Sequence, residues 1–180
     1  MRIGTVLALL ICATLIYSAV MAEEIHKEDS LIIEKTASVK DGNMAVKIDF
    51  VNDWELAAVT IPIKVEGQGV KIDSISFAGS RVEYLKTRPV TIAKDGSKVV
   101  FGAICMTEDY IAPGRGLLAT VYISGSDSSK SKNVMVDTTT IHPASLLFTK
   151  SNSSSYIPQF ISGTFSFAPP AKPEKTEAGN

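Results

Sequence analysis

From Met44 to Ile123, apolar side chains recur at every second position within short runs, and nothing else in the chain restricts the fold as strongly. Met44, Val46, Ile48 and Phe50 alternate with Ala45, Lys47 and Asp49; Val59, Ile61, Ile63 and Val65 alternate with Thr60, Pro62 and Lys64. A β-strand points successive side chains to opposite faces, so each run describes a strand with one buried and one exposed side. Val70, Ile72, Ile75 and Phe77 continue the pattern, but the phase changes near Asp73-Ser74, which predicts a bulge or bend. No helical period extends beyond a turn or two.

Further strands are predicted at Leu31–Ile33, Val90–Ala93, Val99–Cys105, Leu117–Ile123, Val134–Val136, Leu146–Phe148 and Phe160–Phe167. Lys94-Asp95-Gly96-Ser97 carries the Asp-Gly signal of a hairpin turn, and Pro113-Gly114 suits the centre of a type II turn. Pro62 has no N–H for a ladder, so it is expected on an edge strand or where the N–H side of the backbone lies open, outside the ladder. Roughly eight to ten short strands at regular spacing predict an all-β fold, a sandwich or barrel. There is no internal repeat.

The two ends are different in kind. Arg2 followed by the apolar run VLALLICATLIYSAV and by Val20-Met21-Ala22 has the layout of a secretory signal peptide. Cleavage after Ala22 is expected, leaving no membrane span and a secreted, periplasmic or cell-surface protein. Residues 23–29 read as a polar lead-in, 30–167 as one sandwich domain, and the Pro-rich and charged stretch 168–180 as a disordered tail. Removing the signal removes Arg2 and no acid, so 17 basic residues would face 19 acidic ones. The lysines are scattered, which excludes the basic patch a nucleic-acid binder needs. Cys12 leaves with the signal; Cys105, in the run Val99–Cys105, reads as a small buried hydrophobe.

Groups that carry chemistry are sparse, and the chain is read as a non-enzyme without metal or cofactor. The two histidines, His26 and His142, fall in the lead-in and in a loop, without a nucleophile motif. Glu108 and Asp109 are adjacent, so on a strand they would diverge, and a glycosidase needs two carboxylates facing one bond. Asn52-Asp53-Glu55 and Asp127 offer oxygen atoms for calcium, but turn chemistry accounts for Asn52-Asp53 equally well. Gly114-Arg115-Gly116 lacks the Lys-Ser/Thr that follows in a phosphate loop. Asn152-Ser153-Ser154 fits a glycosylation sequon. Trp54, Tyr84, Tyr110 and Tyr156 lie in or near loops and are the candidates for stacking a sugar ring if the module binds polysaccharide.

The order of segments resembles the cohesin family. The resemblance rests on Glu55–Val65 followed by Val70–Ile75, on Lys98–Ile104, on Gly116-Leu-Leu-Ala-Thr-Val-Tyr-Ile123 and on Phe160-Ile-Ser-Gly-Thr-Phe165, and it spans about Ser30 to Phe167. It implies a sandwich of about nine strands, a jelly roll with an immunoglobulin-like look, related to carbohydrate-binding modules. It also implies a non-enzymatic extracellular module that binds a protein partner through one sheet face. That face would carry Ala58, Thr60, Pro62 and Lys64. Dockerin-binding cohesins place an Asn and an Asp where this chain has Ala58 and Thr60, and their Tyr-Asp-Pro turn is replaced by Val65-Glu66-Gly67. Ala58 makes no directional hydrogen bond, so the resemblance carries the fold further than it carries a dockerin partner.

Overall fold

A computed structural model describes residues 26–35, 37–40, 43–125 and 133–166. The expected signal peptide, residues 23–25, Asp127 and the 168–180 tail lie outside the described residues. Among the described residues thirteen strands follow in order: β1 (His26–Ile33), β2 (Ser38–Lys40), β3 (Asn43–Asn52), β4 (Leu56–Glu66), β5 (Val70–Ser76), β6 (Val90–Ile92), β7 (Lys98–Ile104), β8 (Gly114–Gly125), β9 (Val134–Thr138), β10 (Leu147–Lys150), β11 (Ser155–Tyr156), β12 (Pro158–Ile161) and β13 (Gly163–Phe165). No helix among the described residues is long and apolar enough to cross a membrane.

The strands form two sheets. The first runs β12-β1-β3-β8-β5, with β2 paired beside β1 on β3; the second runs β11-β10-β4-β7-β6, with β9 attached to β4 and β13 to β9. Pairing is antiparallel except for β1 and β12, which lie parallel and bring the two ends of the domain side by side. The alternating runs explain the layering. Met44, Val46, Ile48 and Phe50 on β3 are fully buried and face Val59, Ile61, Ile63 and Val65 on β4 across one core. Phe50 meets Phe148 edge-on at 6.2 Å, and Phe148 meets Tyr156 at 5.8 Å, so aromatic rings tie the sheets together. Fully burying one such ring stabilises the fold by roughly 1.5–3 kcal/mol.

Local signals hold in most places. The register slips between Ile72 and Ser74, where the hydrophobic phase changes. Asp95-Gly96 closes the β6–β7 hairpin, with Gly96 at φ 71° and its N–H donating to Ala93 O at 2.8 Å. Four expectations need correction. The polar stretch before residue 30 is already strand from His26, because β1 is held between β3 and β12 and Asp29 is buried. Pro62 is not on an edge strand: β4 lies in the middle of its sheet. β10 pairs with β4 as far as Thr60 and β9 takes over at Ile63, so Pro62 stands at the handover, where no N–H is required. Phe160–Phe167 is not one strand. The chain leaves the first sheet after Ile161 and enters the second at Gly163, whose missing side chain leaves room for Ile33 and Phe165. Finally, β8 starts at Gly114, inside the predicted turn, through two glycines at φ 146° and 155° that let the strand run against Arg81.

Candidate functional site

Because Val59, Ile61, Ile63 and Val65 point into the core, Ala58, Thr60, Pro62 and Lys64 lie on the outer face of the second sheet. The strands beside β4 extend that face. Ala58 and Thr60 sit opposite Ile104 and Gly102 of β7 on one side, and opposite Thr149 and Leu147 of β10 on the other. The result is a platform of small, hydroxyl-bearing and aliphatic side chains on paired strands, with no long side chain at its centre. Gly102 contributes by absence: a Cβ there would lie 2.2 Å from Val59 O, so β7 can approach β4 only with glycine.

Along the platform the chemistry changes. Pro62 is buried, and its carbonyl accepts from Thr138 Oγ1 at 3.1 Å and from the Thr139 N–H at 3.2 Å. Lys64 pairs with Glu66 at 2.5 Å, and that carboxylate holds the ammonium pKa above its usual value. At the opposite end the face turns apolar. Ile104 is 38% exposed and Met106 75%, and beside them Tyr84, Leu85 and Asp109 line a cleft of about 140 Å³. The exposed Ile104 and the half-buried Val100 and Leu147, on the same outer face, escape attention in the sequence. Their signal is present nonetheless, since they occupy the outward phase of the β7 and β10 runs.

The four ring residues fall in different environments. Trp54 is 49% and Tyr84 54% exposed, Tyr110 is half-buried and Tyr156 is buried. Lys150 Nζ lies 4.0 Å over the Trp54 ring and 5.2 Å from that of Tyr156, a cation–π arrangement that covers one face of the indole. Tyr84 donates its hydroxyl to Tyr110 O at 3.0 Å, and burial raises its pKa. Tyr156 belongs to the core and donates to Asp29 Oδ2, so its ring has no open face for a sugar.

The remaining candidates are absorbed by structure. Asn52 is buried, its amide oxygen accepting from Arg81 Nη1 at 2.9 Å while Nδ2 donates to Trp54 O and Ala112 O. Cys105 is half-buried, its thiol pKa raised by burial and its Sγ directed at Leu56 O. His142 precedes Pro143 in the short Ile141–Ala144 connection. No three His, Cys, Asp or Glu side chains among the described residues are grouped to hold a metal ion.

Arg81 is the prominent residue that the sequence does not announce. Its guanidinium lies 4.4 Å above the Phe50 ring and donates to Asn52 Oδ1, Gly114 O and Ala112 O. It closes one end of the sandwich and holds the loop before β8 in place.

No protein-family model matches this sequence, and no curated protein matches it. Solved structures do. The seventh ScaB type I cohesin from Pseudobacteroides cellulosolvens superposes with a TM-score of 0.66 at 16% identity, over 81% of this chain and 96% of that one. The third cohesin ScaC of Acetivibrio cellulolyticus, solved in complex with the ScaB dockerin, gives 0.65 at 19% identity over 78% and 99%. A non-cellulosomal cohesin from the archaeon Archaeoglobus fulgidus gives 0.61 at 12% identity over 79% and 92%. At these identities the likeness is one of fold, and the chain has the cohesin β-sandwich.

Proposed function

We propose that this chain is an exported, non-catalytic interaction module that binds a protein partner through the outer face of the second sheet, with Ala58 and Thr60 at its centre. The observation that carries this reading is the platform itself. A flat array of small, hydroxyl and aliphatic groups on rigid paired strands can be desolvated at little cost and suits a protein surface. A catalytic site needs convergent groups tuned to exchange protons; Tyr84 and Cys105 lie near each other and Asp109, but burial raises both pKa values and keeps them neutral, while Lys64 and Asp95 stand elsewhere. Cohesins of the same fold, such as the A. cellulolyticus module, are solved in complex with dockerins, which supports a protein as partner. Ala58 and Thr60 favour one bound by shape and apolar contact, with Tyr84, Ile104 and Met106 at the rim, over one held by directional bonds at β4.

The test is capture of a partner from the extracellular fraction of the producing organism. Thr60→Arg puts a long charged side chain in the middle of the platform and should weaken capture at least tenfold, about 1.4 kcal/mol. Tyr122→Ala, on the opposite sheet, should leave it unchanged. Capture indifferent to Thr60→Arg would remove the second sheet as the partner face.

A further inference from the structure

The first sheet carries a recess of its own, on the side of the molecule away from the platform. Its floor is set by cross-strand neighbours. Ala45 on β3 pairs with Ser38 on β2 and with Tyr122 on β8; one step along, Lys47 pairs with Thr120, and Glu34 donates its N–H to Lys47 O. Small side chains at Ser38 and Ala45 sink the middle of the sheet. Glu34, Lys47, Thr120 and Tyr122 rise around it and enclose a cleft of about 440 Å³. That is within the range of roughly 300–1,000 Å³ typical of small-molecule sites.

Three properties of the cleft point to one class of ligand. Tyr122 is 39% exposed, and its cross-strand neighbours Ala45 and Ser74 are too small to cover the ring. Glu34 and Lys47 bring one negative and one positive charge, so the cleft has no net charge with which to select an ion. Among the described residues neither is held in an ion pair. Together with the Thr120 and Ser38 hydroxyls they present donors and acceptors side by side. A flat aromatic ring beside balanced polar groups fits a pyranose, whose C–H face lies against the ring while its hydroxyls reach the polar rim.

We propose that this cleft binds a neutral carbohydrate chain, with Tyr122 as the stacking ring and Glu34, Lys47 and Thr120 as the hydroxyl-binding groups. The inference does not depend on the protein partner. The two faces lie on opposite sides of the sandwich, so a glycan and a protein could be held at once.

Affinity electrophoresis of the purified protein in gels containing xylan, hydroxyethyl-cellulose, galactomannan or laminarin tests it. At least one of these should retard the protein. Tyr122→Ala should weaken that retention about tenfold or more. Tyr122→Phe should keep it, because the ring remains. Ala45→Leu, which fills the floor without removing any ligand-binding group, should abolish it; Thr60→Arg should have no effect. Thermal melts establish that each variant is folded. No retardation by any of the four polysaccharides would overturn the proposal. So would retention that survives Tyr122→Ala and Ala45→Leu but is lost in Trp54→Ala.

Discussion

Arg81 joins segments far apart in sequence: the end of β3 through Asn52 and Phe50, and the Ala112–Gly114 loop before β8. Hydrogen bonds from a charged donor are worth roughly 1.5–3 kcal/mol each, and carbonyls deprived of a partner add a desolvation cost. Arg81→Ala should therefore destabilise the domain by about 2–4 kcal/mol in urea melts. Arg81→Lys should recover less than half of that, because a single ammonium cannot reproduce the planar fork. Tyr156 and Asp29 form a second hidden pair. Asp29 is buried, receives the Tyr156 hydroxyl on Oδ2, and receives the Asp53 N–H on Oδ1 at 2.8 Å. Tyr156→Phe leaves a buried carboxylate oxygen without its donor and should cost about 1–3 kcal/mol, read as a lowered urea midpoint at unchanged slope. Neither pair is legible in the sequence. Asn52 and Asp53 read as turn residues and Asp29 as part of a polar lead-in, since nothing local shows which distant side chain a polar group will meet.

Strands and turns were more legible, because their signals are local. The β6–β7 turn is held by Asp95, whose carboxylate accepts from Ser97 N at 3.0 Å and from Ser97 Oγ at 2.9 Å. Those bonds favour the ionised form and lower the Asp95 pKa. The folded state thus binds that proton less tightly than the unfolded chain. The stabilisation is complete above the unfolded value, about pH 4, and is lost as the pH falls through the lower folded value. Asp95→Ala should melt below the wild type at pH 7, and the gap should narrow in melts as the pH falls below the usual carboxylate range. Gly102 makes a sharper case. Read from sequence it is a weak spot in a strand; in the sheet a methyl group there collides with the β4 backbone. Gly102→Ala should cost about 1–3 kcal/mol by forcing β7 away from β4, and should loosen the platform with it. For Pro62 the edge-strand alternative failed for a definite reason: β4 changes partner in mid-strand, and that handover leaves the N side of Pro62 outside the ladder without a sheet edge.

For the whole molecule, alternation predicted an all-β sandwich or barrel, since a strand buried on one face needs apolar cover, and the family resemblance selected the two-layer sandwich. The run from Gly116 to Ile123 carried both the family resemblance and, in its outward phase, the exposed Tyr122. The proposed partner face was legible only as the outward positions of one strand. Its breadth comes from β7 and β10, which reach β4 from about forty and ninety residues away in the chain, and pairing of that kind leaves no local trace. The sandwich thereby presents two outer surfaces of different character: a shallow platform of small and aliphatic groups, and a cleft with an aromatic ring and paired polar side chains. Hydroxyl-radical footprinting of the protein with its captured partner tests the assignment of the first surface most directly. Protection of Val100, Ile104, Met106 and Leu147, with Tyr122 and Ile161 as reactive as in the free protein, is the predicted result. Protection confined to Tyr122 and Ile161, with Ile104 and Met106 still reactive, would place the partner on the other sheet and contradict the account.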